Sequence, residues 1–300
     1  MGEFYIRYEF WLAAVQLALA MFGMGATLTF DDFKDVLREP KAVLLGTGLQ
    51  LLLVPLAAYA FIHGSGVIGG VAVGIALVAA IPGGTTSNIF THMSRGNSPL
   101  SISITGITTL ACLVTTPLIL SALIAEYLPS TFTMPVAQVF RDIALILLLP
   151  LSLGMLYLKR NPDKAPTVSK WSIRASLFTI VLIIVGSSSA GRLDTEAFGA
   201  TNAWLVFGFT IVLLVLGRFV PWVLRLPTRD CVAIEMEAVV RNTNLGVLIK
   251  ASMFPIVVGG DNQMGDMVLF TVLLYGGLQM LFAALLIFYN RRIIPAPAGS

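Results

Sequence analysis

The sequence predicts an all-α protein that crosses a membrane many times, and three observations lead to this fold class. Of the 300 residues, 57% are hydrophobic and only 12% are charged, whereas roughly a quarter of the residues in a soluble domain are charged. The mean hydropathy is +0.88. Apolar runs recur at the length of roughly 20 residues that a helix needs to cross a bilayer about 30 Å thick. The net charge of +3 is too small to suggest a nucleic-acid partner.

The apolar runs define nine predicted membrane-spanning helices. Their connections are short and leave no room for a soluble domain, so residues 1–294 are expected to form one integral membrane domain. The closing PAPAGS, residues 295–300, resembles a cloning linker and is left out of this domain. The nine spans cover about 9–28, 41–62, 68–93, 99–125, 135–158, 170–190, 202–224, 230–256 and 266–289.

Basic residues are concentrated in the loops on one side of the predicted membrane. The opposite set of loops carries little beyond Arg7 and Arg192. We therefore expect a protein of the cell (inner) membrane. By the positive-inside rule, its N-terminus lies outside and its C-terminus in the cytoplasm, which requires an odd number of spans. The cytoplasmic set is Lys34, Arg38, Lys41, Arg95, Lys159, Arg160, Lys164, Arg225, Arg229, Arg291 and Arg292.

Span three is interrupted by the segment IPGGTTSNIFTH, residues 81–92. A broken helix is tolerated at membrane depth only where protein or a water-filled cavity satisfies the freed backbone groups. Pro82 removes a helical hydrogen bond, and the two glycines that follow relax the chain. We expect the polar side chains of residues 85–88 to cap a new helix and to offer oxygens to a cation. An ordinary proline kink is the alternative.

Span eight contains a second polar cluster, IEMEAVVRNTNLG. A charge at mid-membrane is costly and by default indicates a functional site. Glu237 and Arg241 stand four residues apart, which favours an ion pair along one helix face, so a purely structural pair is an alternative. That alternative does not account for Asn242 and Asn244. Spans three and eight hold equivalent places if spans one to four and six to nine are inverted repeats, the arrangement in which secondary transporters bind substrates at discontinuous helices.

The residues at these positions resemble the bile acid/sodium symporter family. The resemblance covers most of the chain and rests on FGMGATLTFDDF with REPKAV, on Gln50 and Pro55 of QLLLVP, on EMEAVVRNTNLG, and above all on PGGTTSNIFTHMSRGN. It implies a panel domain (about 9–28, 135–158 and 170–190) packed against a core domain (about 41–125 and 202–289). It also implies two broken helices that cross in the core, with sodium bound beside the crossing.

The resemblance implies a first sodium site, for which all of the family's positions match. The spacing of Ser101 and Thr105 supports it independently, because residues four apart share one helix face. Oxygen donors with one carboxylate suit a hard cation. Hydroxyls that bond back to their own helix are the alternative for this pair. The implied sodium ligands are Ser87, Asn88, Ser101, Thr105 and Glu237.

A second cation site of the family is altered in this sequence. The resemblance places Gln50 and backbone carbonyls at Ala238 and Val240 there, but Arg241 replaces a glutamine ligand. A guanidinium stays charged and cannot bind a cation. Arg241 is therefore interpreted either as a fixed positive charge in place of the second sodium ion, or as a bidentate ligand for a substrate carboxylate or sulfonate. Proton-coupled or uncoupled transport remains a third interpretation.

The resemblance places Asn242 beside the substrate, and Thr243 and Asn244 extend the same polar edge. The family's His-Asn pair in the last span is replaced by Leu274 and Tyr275. The predicted function is sodium-coupled symport, by alternating access, of amphipathic organic anions such as bile acids. The alternative is a related carrier of small carboxylates or coenzyme precursors with reduced, absent or proton-based coupling.

Two other classes of function fit less well. An intramembrane serine enzyme would need a base near GSSSAG, residues 186–191, and His63 and His92 are the only histidines. We therefore expect no enzymatic activity. A channel is the other alternative, and saturable uptake with countertransport would distinguish a carrier from a pore.

Overall fold

The computed structural model describes residues 1–29, 40–128 and 132–295, and these residues are almost entirely helical, without a strand longer than one bridge. Lys34, Arg38, the FDDF end of FGMGATLTFDDF, the first two residues of REPKAV and residues 296–300 of the closing linker lie outside this described part. The helices are α1 (Gly2–Gly25), α2 (Pro40–Ser65), α3 (Gly69–Ala80), α4 (Thr85–Met93), α5 (Ser98–Tyr127), α6 (Val136–Arg160), α7 (Ala165–Ser189), α8 (Thr195–Val223), α9 (Thr228–Val239), α10 (Thr243–Met253) and α11 (Gln263–Ile293).

Seven of the helices in the described part are long and apolar enough to cross a membrane: α1, α2, α5, α6, α7, α8 and α11. They coincide with seven of the nine predicted spans. The other two predicted spans are each divided into two shorter helices, α3 with α4 and α9 with α10. The protein is therefore an all-α, multi-pass membrane protein, and nine crossings stay a prediction for the two divided segments.

The two divided segments meet at their breaks. Gly83 and Arg241 form an antiparallel bridge, the Gly84 amide donates to the Val240 carbonyl over 2.9 Å, and the Asn242 amide donates to the Pro82 carbonyl over 2.9 Å. Where each helix is interrupted, some backbone groups have no partner within their own helix. These hydrogen bonds give them partners in the other segment, as burial in an apolar environment requires.

Close approach explains why glycines occupy the first break. A β-carbon on Gly83 would collide with the carboxylate of Glu237, and one on Gly84 would lie 3.0 Å from the Arg241 carbonyl oxygen. Both glycines therefore allow the second segment to approach the first.

α1 packs along α6 and α7 and also contacts α10. Gly25 and Gly154 lie where α1 meets α6, and a β-carbon on either one would collide with the backbone of the other helix. α3 lies against α11, and α8 lies against α9. The assignment of α1, α6 and α7 to a panel domain and of the other helices to a core domain remains a prediction.

Candidate functional site

Side chains from α4 and α5 converge on one carboxylate oxygen of α9 beside the crossing. The hydroxyl oxygens of Ser87, Ser101 and Thr105 lie 2.5, 2.6 and 2.7 Å from Glu237 Oε1. Glu237 and all three hydroxyl residues are fully buried. Asn88 Oδ1 lies 2.8 Å from Ser101 Oγ and 3.1 Å from Thr105 Oγ1. The structure therefore brings the five residues implied for the first sodium site into one cluster.

This cluster holds more acceptor oxygens than its hydrogens can satisfy. Ser87 Oγ lies 2.5 Å from the Gly84 carbonyl oxygen as well as close to Glu237. The other two hydroxyls lie between Glu237 and the Asn88 carbonyl oxygen. A hydroxyl carries one hydrogen and can donate to one acceptor at a time. Some oxygens therefore face each other without a hydrogen between them, an arrangement that a cation would stabilise. Oxygen ligands with a single carboxylate suit a hard cation.

The second oxygen of the same carboxylate is held by Gln50. Gln50 Nε2 donates to Glu237 Oε2 over 3.0 Å, and Gln50 Oε1 accepts the Gly83 amide over 2.8 Å. Gln50 is buried and lies in a π-helical turn, Leu49–Leu53, within α2. Such turns occur often at functional sites, since they rotate side chains away from the regular helical positions.

Arg241 is buried, and its guanidinium is surrounded by acceptors. Nε donates to the Val78 carbonyl over 3.3 Å and Nη2 to the Ala79 carbonyl over 3.1 Å. Nη2 also donates to the Ile81 carbonyl, and Nη1 donates to Gln50 Oε1 over 3.1 Å. These carbonyls belong to the C-terminal end of α3, where the helix dipole favours positive charge. The guanidinium therefore caps α3 and faces away from solvent.

The predicted helical ion pair between Glu237 and Arg241 is wrong in its geometry. α9 ends at Val239, and Val240 is extended, so the four-residue spacing does not place the two side chains on one helix face. Gln50 lies between them and hydrogen-bonds to both. No direct salt bridge between this carboxylate and this guanidinium is found in the described part of the chain.

The other residues implied for a second cation site are also close to the crossing. The Val240 carbonyl accepts the Gly84 amide, and Ala238 is fully buried in α9. Because the guanidinium of Arg241 occupies the space beside Gln50 and the end of α3, this region already contains a fixed positive charge.

The prediction that side chains of residues 85–88 cap α4 is wrong. The N-cap is Gly84, and α4 has no side-chain cap hydrogen bond. α10, by contrast, is capped by Asn242, whose Oδ1 accepts the Leu245 amide over 3.2 Å. The side chains after the first break instead face Glu237 or the neighbouring cavity.

A cavity of about 70 Å³ adjoins the crossing. The first residues of α4 and α10 line it, and helix N-termini favour anions. Asn242, Thr243 and Asn244, the predicted substrate-binding residues other than Arg241, all line this cavity, and Arg241 also contributes to its lining. The polar residues that line it are Thr85, Thr86, Ser176, Arg241, Asn242, Thr243, Asn244 and Gln279.

Sequence reasoning missed Gln279, which supports the second break. Gln279 Oε1 accepts the Arg241 amide over 2.8 Å, and its Nε2 lies 3.5 Å from Thr243 Oγ1. The Tyr275 hydroxyl donates to the Val239 carbonyl over 2.5 Å. A glutamine within an apolar span, as in LLYGGLQM, was the available signal.

Sequence reasoning also missed a buried ion pair between α1 and α10. Lys250 Nζ lies 2.5 Å from Glu9 Oε1, and the Tyr5 hydroxyl donates to the same oxygen over 2.8 Å. Lys250 is 1% exposed and Glu9 is 5% exposed. A lysine inside predicted span eight was a signal of such a pair, but its partner lies 241 residues away in the sequence.

The chain is similar to several known transporters. The model of the Sodium Bile acid symporter family matches residues 14–190. An uncharacterized sodium-dependent transporter, YocS of Bacillus subtilis, is 31% identical over 79% of this chain and 73% of its own length. The ileal sodium/bile acid cotransporter of Cricetulus griseus is 26% identical over 91% of this chain and 76% of its own. A probable sodium/metabolite cotransporter, chloroplastic BASS2 of Oryza sativa, is 27% identical over 95% and 65%. The chain therefore belongs to the sodium bile acid symporter family.

Proposed function

We propose that this protein is a secondary active transporter that couples sodium entry to the uptake of an organic anion. The observation that carries the proposal is the oxygen cluster around Glu237, in which hydroxyls and an amide surround a buried carboxylate without a directly paired cation. Sodium at this cluster would neutralise the carboxylate and separate the crowded oxygens. The names of two similar proteins, a sodium-dependent transporter and a sodium/bile acid cotransporter, support the same coupling.

The substrate we propose is an amphipathic organic anion. The small cavity at the crossing is bordered by two helix N-termini and would receive an acidic group. A second cavity of about 520 Å³ shares Thr85, Ile89 and Ile173 with the first, and its largely apolar lining would hold the body of the molecule. The alternative is a small carboxylate, which is favoured if the 70 Å³ cavity alone determines the size of the substrate.

Arg241 is proposed as a fixed positive charge in place of a second sodium ion. Its donors already contact backbone carbonyls and Gln50, so little of the guanidinium is left for a substrate carboxylate. The transporter would then couple fewer sodium ions to each anion than a protein with two cation sites.

Transport is proposed to occur by alternating access, with the helices that contain the sodium cluster moving as one body against α1, α6 and α7. The N-terminus is proposed to lie outside the membrane and the C-terminus in the cytoplasm, as the basic loops predict. Distance measurements between labels in two states should show α3–α4 and α9–α10 moving together. Separation of these two segments from each other would contradict this mechanism.

Uptake into proteoliposomes under an imposed sodium gradient tests the proposal. The substrates would include a conjugated bile acid and small keto acids, with a potassium gradient as the ionic control. We expect saturable, sodium-dependent uptake that Glu237→Ala abolishes. Glu237→Gln should abolish it as well, and Glu235→Gln is the matched control for that variant, since Glu235 is a buried carboxylate in the same helix that pairs with Arg218 over 3.3 Å instead. Normal sodium-driven uptake by Glu237→Ala would overturn the proposal.

A further inference from the structure

We infer that Tyr5, Glu9 and Lys250 form an ionic lock that holds one end of the protein closed, and that this lock opens and re-forms during transport. The inference goes beyond the proposed function and rests on its alternating-access mechanism, in which α1, α6 and α7 move relative to the other helices. The residues of the lock lie outside the sodium cluster and outside both cavities described above.

The two ends of α1 differ in their contacts with the moving helices. In the C-terminal half of α1, Ala20 and Met24 line the cavities at the crossing. The hydroxyl of Thr85 reaches only the sulfur of Met24 there, over 3.5 Å. Glu9 lies eleven positions before Ala20, about 16 Å along the helix axis. We call the N-terminal half of α1 with its neighbours the closed end, and the half that borders the cavities the open end.

At the closed end, charged side chains join α1 to α10. Lys250 Nζ lies 2.5 Å from Glu9 Oε1, and the Tyr5 hydroxyl donates to the same oxygen over 2.8 Å. None of the three residues is more than 5% exposed. Lys250 lies seven positions after Thr243, where α10 begins beside the crossing, and is therefore about 10 Å along that helix. The ion pair thus stands between the crossing and the closed end of the protein.

Two further polar contacts join the same sets of helices at the closed end. Ser252 of α10 donates to a carboxylate oxygen of Asp142 in α6 over 2.7 Å, and both residues are buried. Arg192, which follows α7, pairs with Asp266 of α11 over 2.5 Å. Three elements that are proposed to stay together, α1, α6 and the end of α7, are therefore each tied to α10 or α11 at this end.

A buried ion pair suits a contact that must open and close. Both ions lose hydration when the pair is buried, and their attraction repays that loss only in part or narrowly, so the net stabilisation is small. When the closed end opens, water hydrates both charges again. Removal of one partner changes this balance, because the remaining charge is buried and unpaired in the closed state alone. A single neutralised partner should therefore favour the state in which this end is open.

Cysteine labelling of the purified full-length protein tests the lock. Cys112→Ala and Cys231→Ala first remove both native thiols. Ala13→Cys then reports on the closed end, since Ala13 is fully buried one turn after Glu9 on the same face of α1. Ile173→Cys reports on the open end, since Ile173 lines both cavities. A water-soluble methanethiosulfonate reagent labels each cysteine at a rate set by the population in which it is accessible.

We expect Lys250→Met and Glu9→Gln each to raise the labelling rate at Ala13→Cys about tenfold and to lower the rate at Ile173→Cys. Glu9→Lys/Lys250→Glu should restore both rates, because the charges are paired again. Lys164→Met is the matched control and should change neither rate, since Lys164 is exposed and lies outside the lock. Glu9→Asp keeps both charges but lengthens the pair, so it should raise the rate at Ala13→Cys about threefold, and it provides the test if the neutralised variants do not fold.

The alternative is a permanent structural pair. Unchanged labelling in the folded variants, or a rise at both reporters together, would overturn the lock, since the first indicates a permanent contact and the second a general loosening. Opposite changes at the two reporters without sodium-driven uptake would support the lock as a switch between two states and contradict the proposed transport function. Sodium-driven uptake with unchanged labelling would overturn the lock and leave the transport function in place.

Discussion

Glu237 and Glu9 are both buried carboxylates in membrane helices, but they have different neighbours. Glu9 contacts the ammonium of Lys250 over 2.5 Å, and its charge is balanced within the chain. Glu237 contacts three hydroxyls and one amide, and the nearest guanidinium is separated from it by Gln50. Burial of an unpaired charge is expensive. The difference indicates that Glu9 is a structural partner of α10, and it supports the proposal that Glu237 binds a cation from solution.

The largest expected effect concerns the internally paired carboxylate. Lys250→Met would leave Glu9 buried without its cation, and we expect a loss of about 3–5 kcal/mol in the free energy of unfolding. The double variant Glu9→Gln/Lys250→Met should recover most of that loss, because both charges are then removed. Denaturant unfolding in detergent measures both, with Lys164→Met as an exposed control. An unchanged stability of Lys250→Met would show that the pair does not join α1 to α10 energetically.

The second effect concerns the sodium dependence of uptake and the role of Arg241, which is linked to Glu237 through Gln50. If the guanidinium replaces a second sodium ion, sodium should activate uptake with a Hill coefficient of about 1. Arg241→Gln should raise this Hill coefficient only if the backbone carbonyls near Val240 are already arranged to bind a second sodium ion. Uptake measured over a series of sodium concentrations gives both values, with choline as the balancing cation. A coefficient of about 2 in the unmodified protein would contradict the charge-replacement interpretation.

The smallest effect concerns the hydroxyls. Ser101→Ala and Thr105→Val each remove one oxygen near Glu237 and should cost about 1 kcal/mol of sodium binding. This corresponds to an about fivefold higher sodium concentration for half-maximal uptake, at about 1.4 kcal/mol per tenfold change. Thr108→Val is the control, since that hydroxyl bonds back to its own helix at the Ile104 carbonyl over 2.9 Å. An equal shift in Thr108→Val would mean that general packing, and not ligation, is measured.

Much of this arrangement could be predicted from local patterns. The four-residue spacing of Ser101 and Thr105 predicts that both lie on one face of α5. The Pro-Gly-Gly sequence at residues 82–84 predicts the interruption between α3 and α4. The relation of Glu237 to Arg241 could not be predicted, because the four-residue rule assumes a continuous helix and α9 ends between them. Gln50 as a bridge depends on a π-helical turn and on a contact across 187 residues. The partner of Lys250 is equally distant, so no local pattern indicates it.

The most direct test of the central claim is equilibrium binding of radioactive sodium to the purified protein. The arrangement around Glu237 predicts about one sodium ion bound per chain, and none after Glu237→Gln, while Glu9→Gln/Lys250→Met still binds sodium. The fold of each variant is checked by its unfolding transition. Sodium binding that persists in folded Glu237→Gln, or that disappears only in the Glu9 and Lys250 double variant, would contradict the assignment of the sodium site to Glu237.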